Sequence, residues 1–303
     1  MKKPTILFEI LKKETSEGTI LTVFNKAINV QAAIFLDQGA SLQELKLDNI
    51  KIIDDLHPLT YATTYASALL FPFVGRTAEG KYTFKGKSYQ FDLNDGANAL
   101  HGLLYNKTFE IINTHLSDDK AVIGLAYHET KKSKGFPFTY KVELTYTIAK
   151  NQLNVQFNVT NTDDEPFPYN IGWHPYFKSS DLPNSNLHFK SSKGIGMNAA
   201  ILPQRIRDIE PIEVLPIKNQ QFDDCFVLDK NRIIFETPEY KLYIDSSPSV
   251  KYLQIYTPPK ANFIAIEPQT ATANSFNNSW GLATLEAGSV ATVEWQLALE
   301  KPA

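Results

Sequence analysis

The chain has a single cysteine among 303 residues, so no intramolecular disulfide can form and the fold must rest on its own core. That residue, Cys225, stands in Phe222-Asp223-Asp224-Cys225-Phe226-Val227-Leu228, an apolar setting that suits a buried structural thiol rather than a nucleophile. No apolar run reaches the length of a membrane span. Met1-Lys2-Lys3-Pro4 begins like an export signal, but Glu9, Lys12, Lys13 and Glu14 interrupt the apolar stretch that should follow. The expectation is a cytoplasmic protein without membrane contact. A net charge of −3 gives no electrostatic reason to bind nucleic acid. There is no Gly-rich phosphate loop, no Walker pattern and no Gly-x-Ser-x-Gly elbow, so no cofactor is expected. No two histidines have the spacing of a shared metal site, so no metal is expected either.

Convincing amphipathic helices are also scarce. Leu59–Leu70 has room for a turn or two, and seventeen scattered prolines argue against anything longer. Period-two alternation dominates instead. Val142, Leu144, Tyr146 and Ile148 alternate with polar residues, as do Leu153, Val155, Phe157 and Val159. With Ala149-Lys150-Asn151-Gln152 between them, these read as a long hairpin with one wet face. Val293, Trp295, Leu297 and Leu299 repeat the pattern. Further strands are expected at Ile20–Phe24, Ala32–Leu36, Ala121–Tyr127, Lys241–Ile244, Tyr252–Tyr256 and Phe263–Ile266. Lys178–Gln221, rich in Asn, Ser, Pro and Lys, reads as a long loop over one rim. One large antiparallel all-β domain spanning residues 1–303 follows, as a sandwich or barrel.

The chemistry-bearing residues sit at punctuated places. Asn170-Ile171-Gly172-Trp173-His174-Pro175-Tyr176-Phe177 sets a histidine among aromatic rings, and Pro175 biases His174 toward extended geometry. Trp173 and Tyr176 offer flat faces suited to the C–H side of a sugar ring. His174 can give or take a proton near neutral pH. His101 follows the turn Asn94-Asp95-Gly96, while His57, His115, His128 and His188 lack comparable settings. Arg76 leads from an apolar run into the glycine-bounded hairpin Gly80–Tyr89, where its guanidinium needs acceptors, from a salt bridge or from ligand hydroxyls. Glu267 ends the apolar run Phe263–Ile266, a costly place for a carboxylate unless it is paired or used. Asp223 and Asp224 must point to opposite faces of a strand, so one of them enters a given cleft. This set suits acid–base work on a sugar.

In order, Gly75-Arg76 with the hairpin Gly80–Tyr89, Asn98-Ala99-Leu100-His101-Gly102, Trp173-His174-Pro175-Tyr176-Phe177, Phe222-Asp223-Asp224-Cys225-Phe226 and Ile266-Glu267-Pro268-Gln269 resemble the blocks of the aldose 1-epimerases, or galactose mutarotases. The resemblance implies a galactose mutarotase-like β super-sandwich that interconverts the α and β anomers of a free aldose. It implies Glu267 as general base, His174 as general acid, His101 assisting at the ring oxygen, and Arg76 and Asp223 binding hydroxyls. The expected partner is the small sugar alone, and the expected assembly a monomer or homodimer. Leu103, Phe109, Asp224 and Pro175 depart from the common family pattern and leave the choice of sugar open. Three alternatives remain. One is a hexose-phosphate mutarotase using Lys178 and Arg205 or Arg207. Another is a non-catalytic carbohydrate-binding sandwich using Trp173 and Tyr176. The third is a glycosidase pairing Asp223 with Glu267.

Overall fold

A computed structural model describes residues 7–302, so Met1–Pro4 lies outside the described residues. The chain opens with a five-stranded antiparallel meander from Glu9–Thr15 to Ile50–Ile53, in sequence order. Among the described residues fifteen further strands join in one large sheet, and three two-stranded ribbons decorate it. Among the described residues helix is confined to Tyr61–Thr64, Ser275–Asn278 and a 3-10 turn at Leu182–Asn184. Among the described residues no helix is long and apolar enough to cross a membrane.

The long hairpin forms as the alternation predicts. Tyr140–Ala149 and Gln152–Asn161 pair antiparallel, with every second side chain buried in each. Their apolar residues enter a core cluster that runs from Phe8 to Leu299. Val290–Glu300 lies beside Gln152–Asn161 on one side and Lys241–Ser246 on the other, so it stitches two parts of the large sheet together.

Phe263–Gln269 has a different environment. All seven of its residues are buried. Tyr252–Tyr256 pairs along one edge, and Gly172–Trp173 and Tyr176–Lys178 along the other. A strand covered on all sides reads as a continuous apolar run rather than an alternating one. Gly172 is what lets these segments meet. A Cβ there would stand 2.8 Å from Val74 Cγ1 and 3.1 Å from Gln269 Cβ.

Lys178–Gln221 is not a loop. It holds a twisted hairpin, Asn186–Met197 with Pro203–Pro216. Three register shifts interrupt its pairing, and the outer strand is almost wholly exposed. Bulges break period-two patterning, and an exposed edge strand favours polar side chains. Both effects hid the strands in the sequence. The hairpin tip nevertheless reaches a rim, because Met197 and Ile201 line the cleft described next.

Candidate active site

A cleft of about 220 Å³ opens where the ends of several strands converge. Its floor is the end of Phe263–Gln269. Glu267 is 3% exposed there, and His174 faces it, 5% exposed, with Nε2 3.5 Å from Glu267 Oε1. His174 is placed by backbone bonds: its N–H donates to Ala68 O (3.0 Å) and its carbonyl accepts from Ser67 N–H (2.8 Å). Upstream, the buried amide of Asn170 accepts from Val74 N–H (2.7 Å) and donates to Ser275 Oγ (2.6 Å), tying the histidine segment to the arginine segment.

Arg76 and His101 arrive together. Arg76–Ala78 pairs with Asn98–Leu100, which sets Arg76 opposite Leu100. His101 follows with φ of +61°, its N–H donating to Gly75 O at 2.9 Å. Gly102 is also left-handed, and a Cβ there would lie 2.3 Å from Phe71 O, so the turn admits only glycine. Arg76 Nε donates to Asp95 Oδ2 at 2.6 Å. The salt bridge therefore exists, but it ties Arg76 to the turn before His101 rather than to the Gly80–Tyr89 hairpin. The His101 ring packs edge-on against His174, with centroids 4.9 Å apart, and lies 4.9 Å from the Tyr65 ring. Tyr176 stacks on His174 at 5.0 Å.

Asp223 reaches the cleft and Asp224 does not. Gln254 Nε2 donates to Asp223 Oδ1 at 2.8 Å, and Gln254 stands in register with Glu267 on the neighbouring strand. Sequence reasoning missed Gln254, Tyr65 and Asp95 as cleft residues. Asp95 was visible as part of a turn. Gln254, a lone polar residue within Tyr252–Tyr256, carried a faint signal, and Tyr65 carried none.

Two expectations fail. Trp173 does not touch the cleft. It is fully buried in the core against Trp295, 5.9 Å between ring centroids, and near Phe177. Neighbouring residues in extended backbone point to opposite faces, so a cleft-facing His174 sends Trp173 inward. Lys178 is also elsewhere, held by Asp54 at 2.6 Å. Tyr176 does line the cleft, though it is 2% exposed and its hydroxyl donates to Thr64 O. A larger hollow, about 520 Å³, lies beyond the helix Tyr61–Thr64, and none of the expected site residues reaches it.

The electrostatics follow from burial. Desolvation pushes His174 down to about 4, and it holds His101 well below its ordinary value, helped by His174 and Arg76. Glu267 is raised well above the usual carboxylate range by burial, then by Asp223. Loss of solvent also raises Asp223, while Arg76 pulls it back and Asp224 pushes it up. Burial favours the uncharged arrangement of the His174–Glu267 pair, a neutral imidazole facing a protonated carboxyl, in which the two groups hold one proton between them. Among the described residues the Nδ1 atoms of His101 and His174 are buried without a hydrogen-bond partner. Also among the described residues, no group of three or more His, Cys, Asp or Glu side chains is placed to hold a metal ion.

Known proteins share this architecture. A galactose mutarotase-like protein from Clostridium acetobutylicum superposes with a TM-score of 0.82 at 21% identity, over 97% of this chain and 99% of that one. The YihR protein of Escherichia coli (strain K12) is 22% identical over 84% of this chain and 86% of its own length. The galactose mutarotase of Sus scrofa is 25% identical over 52% of this chain and 45% of its own. The aldose 1-epimerase family model matches residues 24–298, and the chain belongs to the aldose 1-epimerase family.

Proposed function

We propose that the protein is an aldose 1-epimerase acting on a free, uncharged aldose, with Glu267 and His174 as the proton-transferring pair. One observation carries the reading. Two groups able to exchange a proton lie 3.5 Å apart, nearly sealed from water, on the floor of a cleft lined by Arg76, His101 and Asp223.

The chemistry needs only proton movement. In the working form Glu267 is a carboxylate and His174 an imidazolium. Glu267 takes the proton from the C1 hydroxyl while His174 gives one to the ring oxygen. The bond between C1 and the ring oxygen breaks with its electron pair going to that oxygen, and C1 becomes an aldehyde carbon. Rotation about C1–C2 presents the other face, and closure reverses each transfer. Ring opening leaves a protonated Glu267 and a neutral His174, which is the arrangement that burial favours. The buried pair is thus matched to the open-chain stage, and a closed sugar must draw the proton from Glu267 to His174 before reaction. Arg76 and Asp223 are suited to hold hydroxyls, and the His101 imidazole is suited to assist at the ring oxygen. Each such acid or base contributes on the order of 10²–10⁴-fold.

The lining charges favour a free sugar over a phosphorylated one. Among the described residues Arg76 is the one Lys or Arg lining the cleft, and it already answers Asp95, with Asp223 and Glu267 beside it. Polarimetry on freshly dissolved α-glucose and α-galactose tests the proposal. Rotation should relax faster with enzyme than in buffer, with methyl glycosides left intact. A rate equal to the buffer blank for every free aldose would reject it.

A further inference from the structure

The cleft does not end at Asp223. Met197 and Asp223 also wall a second hollow of about 470 Å³, lined further by Ile195, Gln204, Arg205, Arg207 and Asp224. Arg205 and Arg207 stand on the exposed strand Pro203–Pro216, two residues apart and therefore on one face. Opposite them in register are Gly196 and Gly194. Neither glycine has the left-handed backbone that would by itself call for glycine. What they provide is room. A Cβ at Gly196 would lie 3.2 Å from Arg205 Cγ, and one at Gly194 would lie 3.8 Å from Arg207 Nε. The arginine side chains cross strand positions from which side chains are missing, and glycine in a strand interior often marks such close approach. Among the described residues the ion pairs of arginine are those of Arg76 with Asp95 and Arg232 with Asp245. Among the described residues the guanidinium groups of Arg205 and Arg207 have no hydrogen-bonding or ionic partner.

We infer that this second hollow binds the next ring of a neutral di- or oligosaccharide whose reducing ring occupies the catalytic cleft. The inference rests on the mutarotase reading of that cleft and names the substrate class more closely. Continuity is the first argument, since Met197 and Asp223 line both spaces and the two hollows therefore adjoin. Charge is the second. Arg205 and Arg207 are balanced by Asp223 and Asp224, so the hollow has no surplus of either sign to attract an ion. It does hold guanidinium donors and carboxylate acceptors side by side, the complement of a ring edge carrying hydroxyls. The arginine stems, Ile195 and Met197 add apolar surface for the C–H face. A phosphate in the same place would meet Asp223 and Asp224 as well as the arginines.

Anomer exchange measured by NMR on maltose, cellobiose, glucose and glucose 6-phosphate tests this. KM for at least one of the disaccharides should lie well below that for glucose. In Arg205→Ala/Arg207→Ala that advantage should vanish, a rise of roughly tenfold for losing hydrogen bonds to charged groups. KM and kcat for glucose should stay within about twofold. Gly196→Ala, which crowds the Arg205 stem without removing a charge, should give part of the same disaccharide-specific loss. Disaccharides that gain nothing over glucose, or a double variant that affects both sugars equally, would overturn the inference. A gain confined to glucose 6-phosphate and lost with the arginines would replace it with an anion subsite. Acceleration of no sugar would defeat the mutarotase reading. Saturation-transfer NMR of maltose and cellobiose binding, with and without the two arginines, would then decide the second hollow by itself: arginine-dependent binding sustains it and its absence overturns it.

Discussion

The hairpin Tyr140–Ala149/Gln152–Asn161 buries every second side chain, whereas Phe263–Gln269 buries all seven of its residues, Glu267 and Gln269 among them. The hairpin meets the rules of a half-wet sheet throughout and contributes no residue to the cleft. The other strand places a carboxylate where it is nearly sealed from water, a cost that packing alone would not impose. Flanking it are short, irregular pieces such as Gly172–Trp173 and Tyr176–Lys178. The contrast separates the part of the molecule that supplies rigidity from the part that stores chemical readiness, and substitutions can test the separation.

The largest effect is expected at Glu267. Glu267→Gln keeps the shape and can still hydrogen-bond, but it cannot accept a proton at neutral pH. Anomer exchange should fall on the order of 10²–10⁴-fold, with little loss of thermal stability because an uncharged amide replaces a group that is already driven toward its uncharged form. A variant keeping a tenth of the rate would make Glu267 a structural carboxylate. The mirror experiment is Phe157→Ala in the hairpin. Phe157 is fully buried between Leu144 and Val293 in the ladder. Its loss should cost about 3–5 kcal/mol in stability by denaturant titration, while kcat of the remaining folded fraction stays near wild type. If kcat collapsed instead, the two regions would not be separable.

A third test uses pH. The folded-state pKa of His174 lies near 4, below the value of about 6.5 expected when unfolded. The unfolded chain therefore binds the proton first as pH falls. Stability from keeping this histidine neutral is full above about 6.5 and drains away down to about 4. His174→Asn should remove that drain, on the order of 3 kcal/mol of acid sensitivity, seen as a flatter curve of melting temperature against pH. It should also slow anomer exchange by 10²-fold or more, through loss of the acid at the ring oxygen. An unchanged pH profile would mean that burial does not lower the pKa of His174 relative to the unfolded chain. The smallest effect is expected at Gln254. Gln254→Leu frees Asp223 from its 2.8 Å hydrogen bond and should raise KM about fivefold, with kcat nearly constant. A drop in kcat without a change in KM would place Gln254 closer to the chemistry than its position implies.

The same contrast explains what the sequence discloses. Tyr140–Asn161 could be read to within a residue or two, because a strand with one wet face writes its own period. Glu267 was marked by a different signal, a carboxylate closing an apolar run, and His101 by the turn before it, and both line the cleft. Trp173 misled because an aromatic next to a histidine looks like a platform, although alternation in extended backbone already assigned the two to opposite faces. The Asn186–Met197/Pro203–Pro216 hairpin was missed because its bulges erase the period and its outer strand has no core side to mark. Gln254 and Tyr65 reach the cleft through pairings and folds between distant segments, which no local window contains.

Val290–Glu300, seated between Gln152–Asn161 and Lys241–Ser246, has a consequence for how the protein is made. It is translated after both of its neighbours, so each waits with a bare edge until this last piece arrives. Two unsatisfied edges on a nascent chain are templates for pairing with other molecules. A chain truncated before residue 290 therefore carries two open sheet edges prone to pair with other molecules. Charges introduced on the solvent side of Gln152–Asn161 should raise the soluble yield of such truncated chains more than that of the full-length protein.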